Sequence, residues 1–391
     1  MVSIENLKTS NSFCILPFVH QEKQFNNIHN ICCYENQKQT DDFTQNSFEA
    51  FNSKKMNDLR HKMLQNKFPV ECNGCYDKEK LGLRSARQIE TAIWLKDLQA
   101  LPKVENNILK FINLEKINPI SYDLRFSNTC SLKCRMCNSG SSSAINAEYA
   151  KINNLWPSKF WFFGNSRINQ DIPIDEKIEK VYLAGGEPLL ESYNYDFLLK
   201  LSNVNPNANV LINTSLNNLD EKLLTIFNKL NNLTFVISID GVGPLNDYIR
   251  HGSNWETIIK NIKLVSNHEL MFSTTVSMYN IFNIVDLLKF TQENYPDANH
   301  GINIVNDVEE LFIENTPMEM RPKIIQELYE ALNWAPNNSA TGIMNVLKLL
   351  EINNFDPNKF TNFIKYTKIL DTVRHESILD VQPKYKKYFT E

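Results

Sequence analysis

The chain has 391 residues, 42% of them apolar and 22% charged, which is the size of one large domain plus a smaller one and the composition of a globular protein. Its formal net charge is −4, and no long Lys/Arg block occurs, which argues against nucleic acid or another polyanion as a general partner. The first residues, Met-Val-Ser-Ile-Glu-Asn-Leu-Lys, lack the apolar core of a signal peptide and no run approaches a membrane span, so a cytoplasmic protein without a membrane partner is expected.

Residues 1–90 carry cysteines on weakly periodic sequence. Cys14 lies in an apolar run, Ser12 to His20, that reads as a strand interrupted by Pro17. After a polar Asn/Gln segment, Ile31-Cys32-Cys33-Tyr34 reads as the return strand of a hairpin. Phe48 to Gln65 has the apolar spacing of a helix. In Cys72-Asn-Gly-Cys75, Gly74 allows backbone amides to turn towards a metal or sulfide. Residues 91–117 read as a helix and linker.

From 118 to 306 short β-branched or apolar runs alternate with helical patterns. Strands are expected at 121–126, 180–183, 209–213, 234–239, 272–277 and 302–305, with helices at 195–201, 221–230, 255–267 and 284–294. Six strands alternating with helices predict a parallel α/β sheet with right-handed crossovers, and functional groups just past the strands' C-terminal ends. The candidates fall there. The first strand leads to Cys130-Ser-Leu-Lys-Cys134-Arg-Met-Cys137, the second to Gly185-Gly186-Glu187-Pro188, the third to Asn213 and Ser215, and the fourth to Ser238 and Asp240. Two glycines let the backbone approach a ligand, and Glu187 supplies a fixed anion. Residues 307–391 read as amphipathic helices, including 322–332, 344–352 and 360–370. Trp161-Phe-Phe, inserted after the first strand, reads as packing.

All eight cysteines lie between 14 and 137, and clustering of this kind points to metal ligation before disulfides. Spacings of three and two residues let Cys130, Cys134 and Cys137 curl around one face of an iron–sulfur cube. With no fourth ligand nearby, one iron stays open and reactive. A structural zinc is the competing reading at this loop.

The three-Cys loop followed by Gly-Gly-Glu-Pro resembles the radical S-adenosylmethionine (SAM) superfamily, and the likeness to its partial (β/α)6 TIM-type barrel runs over 118–306. The resemblance implies that Cys130, Cys134 and Cys137 hold a SAM-binding [4Fe–4S] cluster. It places Gly185, Gly186, Glu187 and Pro188 at the methionyl ammonium, and Asn213, Ser215, Ser238 and Asp240 near the ribose. Arg250, in Asp240-Gly-Val-Gly-Pro-Leu-Asn-Asp-Tyr-Ile-Arg250, then pairs with the SAM carboxylate, for which a bidentate guanidinium is suited. Met136 replaces the aromatic residue that usually lies against adenine, and its thioether can cover a ring edge. No catalytic acid or base is singled out; Asp240 and Tyr279 qualify by residue type alone.

The first 90 residues resemble the N-terminal module of twitch-domain-containing radical SAM proteins, related to the SPASM/twitch enzymes. The likeness rests on Phe13-Cys14 with Pro17, the Cys32-Cys33 pair, Cys72 with Cys75, then Glu79, Gly82 and Ser85. It implies an auxiliary [4Fe–4S] cluster on Cys14, Cys32, Cys72 and Cys75, with Cys33 as the alternative to Cys32. A zinc site would use four such cysteines equally well. By the same resemblance, reductive cleavage of SAM gives a 5′-deoxyadenosyl radical that abstracts a substrate hydrogen, with an electron donor such as flavodoxin or ferredoxin. A peptide or protein substrate is preferred. A small-molecule dehydrogenase (acting on a carbinol or sugar-like substrate) and a non-catalytic zinc- or cluster-binding scaffold stay open.

Overall fold

The computed structural model describes residues 7, 10–24, 28–33, 35, 46–152, 172–352 and 354–389. Among the described residues there are eight strands: β1 (His20–Lys23), β2 (His29–Asn30), β3 (Ser121–Leu124), β4 (Lys180–Leu183), β5 (Asn209–Thr214), β6 (Asn232–Ser238), β7 (Glu269–Val276) and β8 (Asn299–Ile304). They form one sheet in the order β2-β1-β3-β4-β5-β6-β7-β8. The pairings from β1 through β3 to β8 are parallel, and β2 joins β1 antiparallel. The six expected core strands are β3 to β8, and β1 and β2 extend that sheet from the N-terminal region.

Alternation along the strands separates two faces. Val181, Leu183, Val210, Ile212, Phe235 and Ile237 are fully buried on one side, against Phe197, Leu201, Phe227, Ile258 and Ile262 of the crossover helices. Asn213, Ser238 and Ser273 alternate with these residues and so line the opposite, inner face. Helices Arg321–Ala331, Asn337–Glu351 and Pro357–Arg374 bury Ile343, Leu347, Phe363 and Leu370 in a second core with Tyr279 and Val305. A Cβ on Gly342 would lie 2.5 Å from Ile302 Cβ, so the middle helix rests directly on β8.

The N-terminal region departs from its sequence reading. The apolar run around Pro17 is a short helix, Leu16–Val19, with the proline in its first turn, where the missing N–H costs nothing. The strand begins at His20, and its hairpin partner is His29–Asn30, ahead of Ile31-Cys32-Cys33. Tyr34 lies outside the described residues. The helix expected over 48–65 is two, Ser47–Phe51 and Lys54–Leu64, because Ser53 caps the second by accepting from the Met56 N–H. Phe13, Phe18 and Val19 share a core with Val104, Ile108, Phe111, Ile117 and Ile120, which runs across the expected boundaries at 90 and 117. The Trp161-Phe-Phe run lies outside the described residues. Among the described residues no helix is long and apolar enough to cross a membrane.

Candidate active site and thiol cavity

The loop after β3 is docked by the turn after β4. Gly186 N–H donates to Ser127 O at 3.1 Å and Glu187 N–H to Thr129 O at 2.7 Å. Gly185 has φ +119°, and a Cβ on Gly186 would stand 2.1 Å from Thr129 O. The glycines therefore serve the contact between this turn and the backbone leading into the thiol loop, where the sequence reading had them making room for a ligand. Glu187 is 3% exposed. Its Oε1 accepts from Thr214 Oγ1 at 2.6 Å and Leu189 N–H at 3.2 Å, and its Oε2 from Ser215 N–H at 2.9 Å and Ser215 Oγ at 2.7 Å. This carboxylate locks the end of β4 to the end of β5, and it engages the Ser215 hydroxyl expected at the ribose. Pro188 opens a short turn behind it. Ser238 Oγ donates to Asn213 Oδ1 at 3.1 Å, so these two half-buried side chains meet on the inner face.

Cys130, Cys134 and Cys137 are half-buried and unbridged. Burial pushes the Cys130 thiol up to about 11 and raises Cys134 and Cys137. Cys137 is raised further by Cys134 and Cys130, so the three sulfurs act on one another electrostatically. Arg250 opposes the rise at Cys134, with Nη1 3.8 Å from its Sγ. Arg250 is itself held by Asp240, Nε to Oδ2 at 2.6 Å, and Asp240 is fully buried and accepts from Thr275 N–H at 2.8 Å. Burial raises the Asp240 carboxyl, and Arg250 pulls it back. Asp240 thus orients a guanidinium beside the middle thiol. Met136 packs half-buried against the core together with Cys137. Tyr279 is buried, its hydroxyl 3.0 Å from Thr367 Oγ1, and Asn280 donates to the Asp240 and Thr275 carbonyls. Both support the site from behind.

The donor set fits an iron–sulfur cluster with one open iron: three thiols on one loop, with an arginine at hand to offset thiolate charge. Among the described residues no three His, Cys, Asp or Glu side chains converge on a point as a single metal ion requires.

A second set of thiols meets in the N-terminal region. Cys14, Cys32, Cys72 and Cys75 line one cavity with Leu16, Ile31, Glu35, Glu71, Ala86 and Arg87. Burial pushes Cys14 up to about 12, and Cys75 adds to the rise. Arg87 is clamped by Glu79 through Nε at 2.9 Å and Nη2 at 2.6 Å, while its Nη1 donates to Phe13 O at 2.6 Å. Ser85 Oγ also donates to Glu79, and Gly82 turns the chain with φ +71°. Glu79, Gly82 and Ser85 therefore present Arg87 to the cavity. Cys33 is not among the residues that line it; its thiol instead feels Asp123, Arg125 and Glu22.

Those three residues form a network that the sequence reading missed. Arg125 Nη2 lies 3.0 Å from Asp123 Oδ2 and Nε 3.1 Å from Glu22 Oε1. Burial pushes Asp123 up to about 6 against the pull of Arg125. The available signal was the alternation Ser121, Asp123, Arg125, three polar residues on one face of a strand.

The model of the Radical SAM superfamily matches residues 124–291. No curated protein sequence matches the chain. Among solved structures it is similar to Streptococcus suis SuiB bound to S-adenosylmethionine, with 15% identity, TM-score 0.38, and 70% of this chain and 62% of that one covered. It is also similar to Streptococcus suis SuiB bound to precursor peptide SuiA (14% identity, TM-score 0.41, 75% and 67% covered). A third is native anSMEcpe with bound AdoMet and Cp18Cys peptide (13% identity, TM-score 0.38, 55% and 60% covered). The chain spans less than two thirds of the SAM-bound SuiB and anSMEcpe chains.

Proposed function

We propose, from the match of the Radical SAM superfamily model to residues 124–291, that this protein is an oxidative radical SAM enzyme with two iron–sulfur sites. Cys130, Cys134 and Cys137 hold the [4Fe–4S] cluster that binds SAM, and Cys14, Cys32, Cys72 and Cys75 hold an auxiliary one. The observation that carries this reading is the meeting of four thiols in one cavity of a region whose strand β1 is hydrogen-bonded to β3, the strand that leads into the three-thiol loop.

With SAM bound, the first cluster would supply a 5′-deoxyadenosyl radical and methionine by reductive cleavage, with the electron coming from a donor such as flavodoxin or ferredoxin. The protein's own residues bind and orient. Arg250, fixed by Asp240, would offer a guanidinium to the SAM carboxylate, Asn213 and Ser238 on the inner face of the sheet would serve the ribose, and Met136 would serve the adenine. Ligation by Cys14, Cys32, Cys72 and Cys75 would leave an auxiliary cluster no open iron, so it would supply electron transfer, which suits net oxidation of the substrate. The substrate is a peptide or protein, on the resemblance of the N-terminal cysteine pattern to twitch-domain proteins.

Anaerobic reconstitution tests this. The wild type should hold about eight irons per chain, and a Cys72→Ala/Cys75→Ala variant about four while still forming 5′-deoxyadenosine with SAM and dithionite. Zinc in place of iron, or a wild type that forms no 5′-deoxyadenosine, would overturn the assignment.

A further inference from the structure

Cys134 stands between two cationic residues, and both are tied to the end of one distant helix. Arg135 is fully buried. Its Nη2 donates to Asp371 Oδ1 at 2.7 Å and Glu376 Oε2 at 2.6 Å, and its Nε to the Tyr248 carbonyl at 3.0 Å. The Tyr248 ring lies 3.7 Å from the guanidinium carbon, and its hydroxyl donates to Asp371 Oδ1. Tyr366 OH donates to the Arg135 carbonyl at 3.2 Å. On the other side of Cys134, Lys133 pairs with Glu148 at 3.2 Å, and Glu148 is held by Arg374 Nη2 at 2.6 Å. Glu376 Oε1 also lies 2.6 Å from His251 Nδ1, one residue beyond Arg250. Asp371, Arg374 and Glu376 thus reach both neighbours of Cys134 and the residue beside Arg250.

Around Cys134 the thiol loop is tied through Lys133 N–H to His251 O at 2.9 Å, Arg135 N–H to Ile249 O at 2.8 Å and Cys137 N–H to Cys134 O at 3.0 Å. Its first half is held separately, by Ser142 Oγ donating to Leu132 O at 2.8 Å and Cys130 N–H donating to Ser143 Oγ at 3.2 Å. A buried guanidinium is stabilised when carboxylates and carbonyls meet its donors; here Asp371, Glu376 and the Tyr248 carbonyl meet Nε and Nη2, while Nη1 has no hydrogen-bond partner among the described residues. We propose that the end of helix Pro357–Arg374 and the turn after it form a clamp that positions Cys134 for the SAM-binding cluster, with Arg135, Asp371, Arg374 and Glu376 as positioning residues. The clamp rests on the assignment of Cys130, Cys134 and Cys137 to that cluster. The four residues act by holding the loop in the geometry a cluster needs before it is loaded.

Two variants separate positioning from folding. Glu148→Met/Arg374→Met removes both partners of a buried pair, a change that commonly leaves stability near the wild-type value. Glu376→Gln weakens the hold on Arg135 and keeps Asp371. In the metal-free chain, both should show amide exchange at Lys133 and Arg135, and alkylation of Cys134, faster by about tenfold. After loading, the KM for SAM should rise about fivefold or more while the auxiliary irons are retained, and thermal unfolding should stay within about 3 °C of the wild type. Exchange and alkylation within about twofold of wild type in both variants would overturn the clamp. If the double variant does not fold, Glu376→Gln decides by the same readouts. A wild type that cleaves no SAM would sink the proposed function, yet exchange in the metal-free chain would still decide for or against the clamp.

Discussion

Adjacent Cys32 and Cys33 differ in place: Cys32 lines the four-thiol cavity, and Cys33 is exposed and does not. Cys32→Ser should therefore remove the auxiliary cluster, a loss of about four irons per chain, while Cys33→Ser keeps them. Iron analysis with the reduced-cluster spectrum checks this, and equal losses in both variants would disprove it. A second residue carries a pH dependence. His300 is 3% exposed, between Thr274 Oγ1 at 2.7 Å and Thr291 Oγ1 at 2.9 Å, and burial pulls its pKa down to about 4. Between its ordinary value near 6.5 and about 4 the unfolded chain takes up a proton that the folded chain refuses, so stability is lost as pH falls through that window. The loss approaches about 3 kcal/mol at the lower end. His20, pulled down to about 3 mainly by burial, adds a similar contribution. His300→Gln keeps an amide between the two threonines and should flatten the curve. Urea unfolding at pH 7 and pH 4.5 measures it, and an unchanged pH slope in the variant would refute the role given to His300.

The turn after β4 and the loop after β3 behave as one unit, because two backbone bonds and a close glycine contact join them. Gly186→Ala would put a methyl 2.1 Å from Thr129 O, against backbone that has little freedom to retreat. Overpacking of this kind costs about 1–3 kcal/mol. The variant should lose several degrees of thermal stability and load less iron at Cys130–Cys137, read by calorimetry and iron count; wild-type values in both would rule out the docking role. Much at this scale was legible. β4 lies at Lys180–Leu183 and a helix at Ile284–Asn294 where the periodicity puts them, since outward apolar residues recur every second or every third to fourth position. The three-cysteine spacing stands out locally, because Cys130, Cys134 and Cys137 lie within one loop. What escaped depends on distant partners. Glu187 shows only as an anion after two glycines until Thr214 and Ser215 are seen to enclose it. Arg135 and Asp371 lie 236 positions apart, which no local pattern spans. The run at Pro17 was misread because its apolar residues suit a buried helical turn as well as a strand.

For the whole molecule, β1 and β2 make the N-terminal region part of the same sheet as the core strands. β1 covers all four residues of β3, and Phe13, Phe18 and Val19 are packed with Val104, Ile108 and Phe111. At the far edge, helix Asn337–Glu351 rests on β8, and its Lys348 donates to the Gly82 carbonyl, so the C-terminal helices reach back to the cysteine-bearing region. A chain begun at residue 91 would leave the backbone groups on one side of β3 unpaired and uncover that shared core. Unpaired strand edges beside apolar surface promote association. Such a chain should be recovered mainly as aggregate. The comparison is a full-length Cys14→Ser/Cys32→Ser/Cys72→Ser/Cys75→Ser chain, which lacks auxiliary ligands but keeps β1 and should elute as one sharp species. Size-exclusion chromatography with circular dichroism distinguishes them. If the shortened chain were monodisperse with native ellipticity, β1 would be an accessory to the barrel; aggregation of the shortened chain alone would make it structural, independent of any cluster.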